Sequence, residues 1–509
     1  MASNLRHVPE TAVITGWDFS TTAMKCLAFD IDGTKLAEVR IPTRIWKRGD
    51  VRELSLEQIR MQAEQSVAAM ADKLRKQGRL QDWLAGGISA THHTAGRIDA
   101  DHEEVRRAIC WHDQSLGPYH ARGEKRLGGD KKVRNLIGGP WAVRYTLSHL
   151  VKDETELSPE GWENTARILS HGSLAAGYLT GNFDSCSVSS AASTGIMDLR
   201  TMQWSRDMLN ALQEKHRDRA WQQLPPITLD PSAPVGSITD ALARKAGLEQ
   251  RPLIFPTSDD QQAGLVGGGA VDAGQMAIIL GSSAVVNSSS NERPKTKALD
   301  VMRLNWGPYL WMRCYTNGAQ FLDKVVGRKP NWKKLEPAAR DVPPGCDGVM
   351  VLPFVYSEPS LGVKKKRFRW LPRAPRDAGV KARAALEALA YLIALGVKQH
   401  EKGGQRITRF TVSGGIAQNN LMCEILATVL DQPLYRLESN EGPALGAAVT
   451  ALAALENHRR REQHYTGGEY SMAEAVAQMV KFQERPVEPN PVWKPSYQRG
   501  LRLFARAIA

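Results

Sequence analysis

The stretch Ala12-Val13-Ile14-Thr15-Gly16-Trp17-Asp18-Phe19-Ser20-Thr21-Thr22, continuing through Met24 to Phe29, decides how the chain is read. A short apolar run enters a small polar turn and leaves it as an alternating run that ends in Asp30-Ile31-Asp32-Gly33, a second turn sequence. Two strands joined by a turn therefore open the fold. Far downstream the pattern returns, with Met276 to Leu280 passing through Gly281-Ser282-Ser283 into Ala284 to Asn287. Gly and Ser at such tips free backbone N–H groups to form anion-binding concavities. One such tip is ordinarily only a turn. Two of them, one in each half of the chain, strengthen the reading of both as anion-binding turns.

Outward from the first hairpin, Leu56 to Lys76 carries apolar residues at helical spacing, and Ser55 with Gln58 reads as a capping box at its start. Ala85 to Ser89 reads as a strand. Val380 to His400 is a long helix, and Phe410-Thr411-Val412 is a strand entering Ser413-Gly414-Gly415, after which Asn419 to Val429 is helical. Glu441 to Ala448 opens a helix of small residues suited to close packing. Alternating strands and helices mean an α/β fold. A chain of 509 residues exceeds what one core supports, so two domains are expected, 1–252 and 253–509, with a cleft between them.

Charged residues at 24% and hydrophobic ones at 42% are ordinary for a globular protein, which excludes disordered and fibrous classes. No window approaches the roughly 18 apolar residues of a membrane span, and the N-terminus has no signal-like apolar core. The six cysteines are scattered without a C-x-x-C pair, so neither a zinc knuckle nor a disulfide framework is indicated and a reducing cytoplasm is expected. The net charge of +13 is spread out apart from Lys364-Lys365-Lys366-Arg367-Phe368-Arg369. It fits anionic ligands such as ATP better than nucleic acid, for which no motif is present.

Three aspartates stand beside turn sequences: Asp18, Asp113 in Trp111-His112-Asp113, and Asp260 in Ser258-Asp259-Asp260-Gln261-Gln262-Ala263. Phosphoryl transfer to an alcohol needs one carboxylate to accept the hydroxyl proton and another to hold Mg²⁺ against the phosphates. An isolated Asp beside a turn is as readily a helix cap, and Asp260 could cap the helix that follows it. His92-His93 reads as a polar donor pair, and Trp111 is an indole able to pack on a sugar's C–H face. P-loop and G-x-S-x-G motifs are absent, which argues against the common P-loop NTPases and serine hydrolases.

Taken in order, these motifs resemble the FGGY carbohydrate kinases, most of all their xylulokinase (pentulose kinase) members, from about Val13 to the C-terminus. Gly16-Trp17-Asp18-Phe19-Ser20-Thr21-Thr22 resembles the family's G-x-D-x-G-T-T hairpin, with Ser20 for glycine. Ser89-Ala90-Thr91-His92-His93 stands where the xylulokinases have S-G-Q-M-H-G, and Trp111-His112-Asp113 where they have W-N-D, with Ser115 in place of the arginine that follows. Asp259-Asp260-Gln261-Gln262-Ala263 resembles G-D-Q-Q-A, Leu280-Gly281-Ser282-Ser283 resembles L-G-T-S, and Ser413-Gly414-Gly415 with Asn419 resembles the G-G-x-x-x-N loop. In Gly138 to Arg144 the lysine of the family's first signature is missing.

The resemblance implies two actin-like ATPase (ribonuclease H-like) domains around a deep interdomain cleft, the first holding the sugar and the second most of the nucleotide. It implies Asp260 as catalytic base and Asp18 as Mg²⁺ ligand. His93, Trp111 and Asp113 would bind the acceptor, and Asp113 would accept two of its hydroxyls. Thr21, Thr22, Gly281, Ser282, Ser283, Gly414, Gly415 and Asn419 would bind ATP. The expected partners are ATP and a small sugar, D-xylulose or a related ketopentose, without nucleic acid or membrane. A homodimer is one oligomeric state left open. The alternatives are a kinase for ribulose, erythritol, gluconate or glycerol, and an ATP-binding sensor of the same fold that phosphorylates nothing.

Overall fold

The computed structural model describes residues 5–328, 330–358, 361–439 and 441–508. It resolves into two compact units, each discontinuous in sequence: residues 1–267 with 301–309 and 443–480, and residues 268–300 with 310–442 and 481–509. These units differ from a single division at 252/253. Residues 253–259 add strands to the first unit's sheet, and the chain returns to that unit late, through the helix Gly442–Glu462.

In the first unit the strand Val13–Phe19 pairs antiparallel with Ala23–Asp30 and parallel with Trp83–Ala90, inside a seven-stranded sheet. All seven residues of Val13–Phe19 are buried, as a central strand covered on both faces requires. The helix Leu56–Lys76 packs Leu56, Ile59, Ala63, Val67, Met70 and Leu74 into the core. Its expected capping box is not formed. Ser55 makes no side-chain cap bond, and the Gln58 amide pairs instead with the Arg44 backbone, accepting its N–H at 2.8 Å and donating to its carbonyl at 3.1 Å. A neighbouring loop offered Gln58 both a donor and an acceptor, and that outcompeted the local bond.

The small residues of Gly442–Glu462 serve close approach. A Cβ on Gly16 would lie 1.8 Å from the Ala444 carbonyl oxygen, and one on Gly87 2.1 Å from that of Ala447. The helix therefore rests directly on the backbones of the strands Val13–Phe19 and Trp83–Ala90. A separate five-stranded sheet, which includes Glu104–Ile109 and Ala95–Ile98, leads into the Trp111-His112-Asp113 loop.

The second unit repeats the opening motif. Gln275–Leu280 pairs antiparallel with Ala284–Ser290 and parallel with Arg409–Ser413, the same arrangement made by Val13–Phe19, Ala23–Asp30 and Trp83–Ala90. Its core centres on the long helix Ala378–Gly403, most of whose length is buried. No helix among the described residues is long and apolar enough to cross a membrane.

Candidate active site

Strand register assembles the first cluster. Val13–Phe19 and Ser258–Asp259 both run parallel to Trp83–Ala90, which places Asp18 opposite Ser89 and Asp259 opposite Ala90. The carboxyl ends of three parallel strands thus deliver Asp18, the Thr91-His92-His93 segment and the Asp259-Asp260 pair to one place, the position where open α/β sheets bind ligands. Ser89 Oγ donates to Asp18 Oδ1 at 3.3 Å.

The two consecutive aspartates take different roles. Asp259 is the helix cap: its Oδ1 accepts the backbone N–H of Gln261 at 2.9 Å and of Gln262 at 2.8 Å. Burial pushes its carboxyl up to about 6, opposed by those two amides and Ser189. Asp260 is the first residue of the helix Asp260–Gly267, and its side chain is 33% exposed. Desolvation first, then the charges of Asp259 and Asp18, push the Asp260 carboxyl up to about 8. A carboxyl poised near neutrality can take up a proton and release it.

His92 and His93 are buried, with rings stacked at a centroid separation of 3.5 Å, and His93 stacks in turn on Tyr145 at 4.1 Å. Burial holds both imidazoles well below their usual range, with the Arg144 charge acting in the same direction on each. They are therefore neutral. His93 Nδ1 lies 2.7 Å from the Ser193 carbonyl, which can only accept, so the proton sits on Nδ1 and Nε2 carries a lone pair. His93 thus offers an acceptor at Nε2, not the donor expected from the sequence.

Trp111 is 40% exposed, which suits an indole meant for a ligand rather than the core. Asp113 is buried and largely occupied by its own loop. Its Oδ2 accepts the Arg52 N–H at 2.7 Å, and its Oδ1 accepts the Ser115 N–H at 2.8 Å and the Ser115 hydroxyl. Of about four acceptor positions on a carboxylate, one remains for a ligand hydroxyl, against the two expected. Lys152, missed in the sequence, is buried and donates to Ser115 Oγ at 3.0 Å. It brings a cation to the loop where Ser115 replaces arginine, and its place inside a helix gave no local sign of this.

The Ser20-Thr21-Thr22 tip closes on itself. Ser20 Oγ donates to the Ala23 carbonyl at 2.7 Å and lies 3.2 Å from Thr22 Oγ1, so the serine that replaces glycine spends its hydroxyl inside the turn.

In the second unit, Gly281-Ser282-Ser283 forms the corresponding tip, with the Gly281 N–H donating to the Ser283 carbonyl at 3.0 Å. Gly414, at φ +96°, sits against it: a Cβ there would lie 2.4 Å from the Leu280 carbonyl oxygen. Gly415 has open space where a Cβ would be. Beside it lies a pocket of about 320 Å³, lined among others by Trp332, Glu336, Gly415, Gln418 and Asn419, within the size range of small-ligand sites. Asn419 caps the helix Asn420–Leu430 through Oδ1, while its buried Nδ2 donor has no partner among the described residues.

Known proteins match this chain in sequence and in fold. The model for the N-terminal domain of the FGGY family of carbohydrate kinases matches residues 13–267, and that for its C-terminal domain matches residues 276–455. The xylulose kinase of Escherichia coli (strain K12) is 27% identical over 456 residues, covering 86% of this chain and 89% of that protein. A ligand-bound xylulose kinase and a gluconate kinase, both from Lactobacillus acidophilus, each superpose with a TM-score of 0.82 at 17% identity, covering 97% of both chains.

Proposed function

Since this chain belongs to the FGGY family of carbohydrate kinases, we propose that it transfers the γ-phosphate of ATP to a terminal hydroxyl of a ketopentose, D-xylulose being the acceptor favoured by its relatives' names. The observation that carries the mechanism is Asp260: a partly exposed carboxyl raised to about 8, at the carboxyl ends of the strands that present Asp18 and His92. In this reading Asp260 accepts the hydroxyl proton as the oxygen attacks phosphorus. Trp111, His93 Nε2 and the remaining acceptor position of Asp113 hold the sugar.

Thr21, Thr22 and the Gly281-Ser282-Ser283 tip would supply backbone and hydroxyl donors to phosphates, and the pocket at Gly415 and Asn419 would take the adenosine, with Gly414 closing that loop onto the tip. The residues present fit Mg²⁺. Asp18, Asp259 and Asp260 converge so that two of their charges raise the third group's proton affinity, and such hard oxygen donors suit that ion. Asp18 would hold it, and a bound Mg²⁺ neutralises phosphate charge. A cytoplasmic setting accords with the cysteine usage.

A second reading has one observation in its favour. The positive charge of Arg144 acts on both His92 and His93, and a cation beside the acceptor histidines suits an acidic sugar such as gluconate. Measuring ADP release over xylulose, ribulose, erythritol, gluconate and glycerol tests both, with xylulose expected to give the highest kcat/KM. A flat response to all five despite tight ATP binding would overturn the kinase reading in favour of an ATP-binding sensor.

A further inference from the structure

His92 and Asp259 stand where the xylulokinase and FGGY motifs have methionine and glycine, and the fold brings these two departures together. His92 Nε2 lies 3.9 Å from Asp259 Oδ2, and His92 Nδ1 lies 3.9 Å from Asp260 Oδ1. Both His92 and Asp259 are more than nine-tenths buried, at 6% and 3% exposure. Neither His92 Nε2 nor Asp259 Oδ2 has a hydrogen-bond partner among the described residues. A buried polar atom without a partner is costly, so two of them facing one another call for a ligand.

At 3.9 Å the pair is too far apart for a hydrogen bond. That separation is just under twice the roughly 2.1 Å of a nitrogen or carboxylate ligand to a divalent transition ion, so one ion can bridge both atoms. Asp260 stands near enough to join, since one donor atom from each of His92, Asp259 and Asp260 can be chosen with all three within 4.8 Å of one another, and a small shift of its partly exposed side chain completes the set. An imidazole with carboxylates selects the borderline ions of the Co²⁺, Ni²⁺ and Zn²⁺ class over Mg²⁺, which favours all-oxygen sites. Burial keeps His92 neutral, the form that ligates.

We propose that His92, Asp259 and Asp260 form an inhibitory binding site for a borderline divalent transition ion. The ion draws Asp260 into its coordination and withdraws it from proton transfer. Only this inhibition rests on Asp260 being the base; the binding does not. The site shares Asp259 and Asp260 with the carboxylate cluster that suits Mg²⁺ and differs from it by His92, whose nitrogen favours the borderline ions.

Co²⁺ is the probe, because its d–d absorption reports coordination where Zn²⁺ is silent. The metal-stripped full chain is titrated with Co²⁺ in excess Mg²⁺, by absorption and calorimetry. One tight equivalent is expected. His92→Met should weaken it by at least about tenfold, since loss of even an outer-shell partner costs 10–100-fold. Asp259→Asn should do the same while keeping the fold, because Asn caps a helix as well as Asp does. Zn²⁺ should inhibit phosphorylation in the native chain and far less in both variants. Absence of a tight Co²⁺ site, or equal affinity in folded His92→Met and Asp259→Asn chains, would overturn the proposal. Tight Co²⁺ binding together with normal turnover in Asp260→Asn would leave the site standing and remove the assigned base instead.

Discussion

Asp259 spends its Oδ1 on the backbone amides of Gln261 and Gln262, at 2.9 and 2.8 Å, and thereby leaves its neighbour Asp260 free of the capping role. Capping lowers the proton affinity of Asp259, while the charge it fixes there raises that of Asp260. The two residues are chemically identical and one position apart. Of the two, only Asp260 is partly exposed to an incoming hydroxyl.

Asp260→Asn should therefore cut kcat by about 10²–10⁴ without loss of fold or of ATP binding. Asp259→Asn should be milder in kcat because the cap survives, whereas Asp259→Ala should cost about 1 kcal/mol of stability. Steady-state kinetics with thermal melts on the three variants separates these outcomes. Near-normal turnover in Asp260→Asn would refute the assignment.

Asp18→Ala should lower Mg²⁺-dependent turnover for every acceptor by a similar factor, because the lost contact is on the phosphate side. The check is a comparison across three sugars at saturating acceptor. A loss confined to one sugar would move Asp18 to the acceptor site.

For the acceptor loop, Asp113→Ala should raise the sugar KM and leave ATP affinity, measured by calorimetry without sugar, near that of the native chain. One hydroxyl left unpaired corresponds to about 1–3 kcal/mol, or roughly 5- to 150-fold in KM. Trp111→Ala should raise KM too, with little change in melting temperature, since the indole is 40% exposed. A fall in thermal stability with the sugar KM unchanged, in both variants, would make the loop structural only.

Acid should destabilise the first unit through buried histidine. Burial holds His171 down to about 4, and neither of its ring nitrogens has a hydrogen-bond partner among the described residues. Its unfolded value is about 6.5. The unfolded chain therefore binds the proton more readily, so stability is full above about pH 6.5 and declines as pH falls toward 4. Melting temperature followed from pH 7.5 to pH 4 should show this decline, and His171→Phe, if folded, should make it shallower. An unchanged slope would exclude His171 as a source.

What the sequence determined by itself lies in local periodicity and turn chemistry. Both phosphate-type hairpins, the helix at Leu56–Lys76, the long helix at Ala378–Gly403 and the Gly414 turn could be read there, because each depends on residues a few positions apart. The tertiary structure decided where side chains with more than one suitable partner would spend their bonds. Gln58 was given to Arg44 instead of Ser55, Asp259 rather than Asp260 to the helix cap, and Asp113 largely to the Arg52 and Ser115 amides. The return of Gly442–Glu462 onto Gly16 and Gly87 was likewise settled by long-range packing. These choices turn on competition between groups far apart in the chain, and only the folded backbone, by fixing the distances, decides which partner wins.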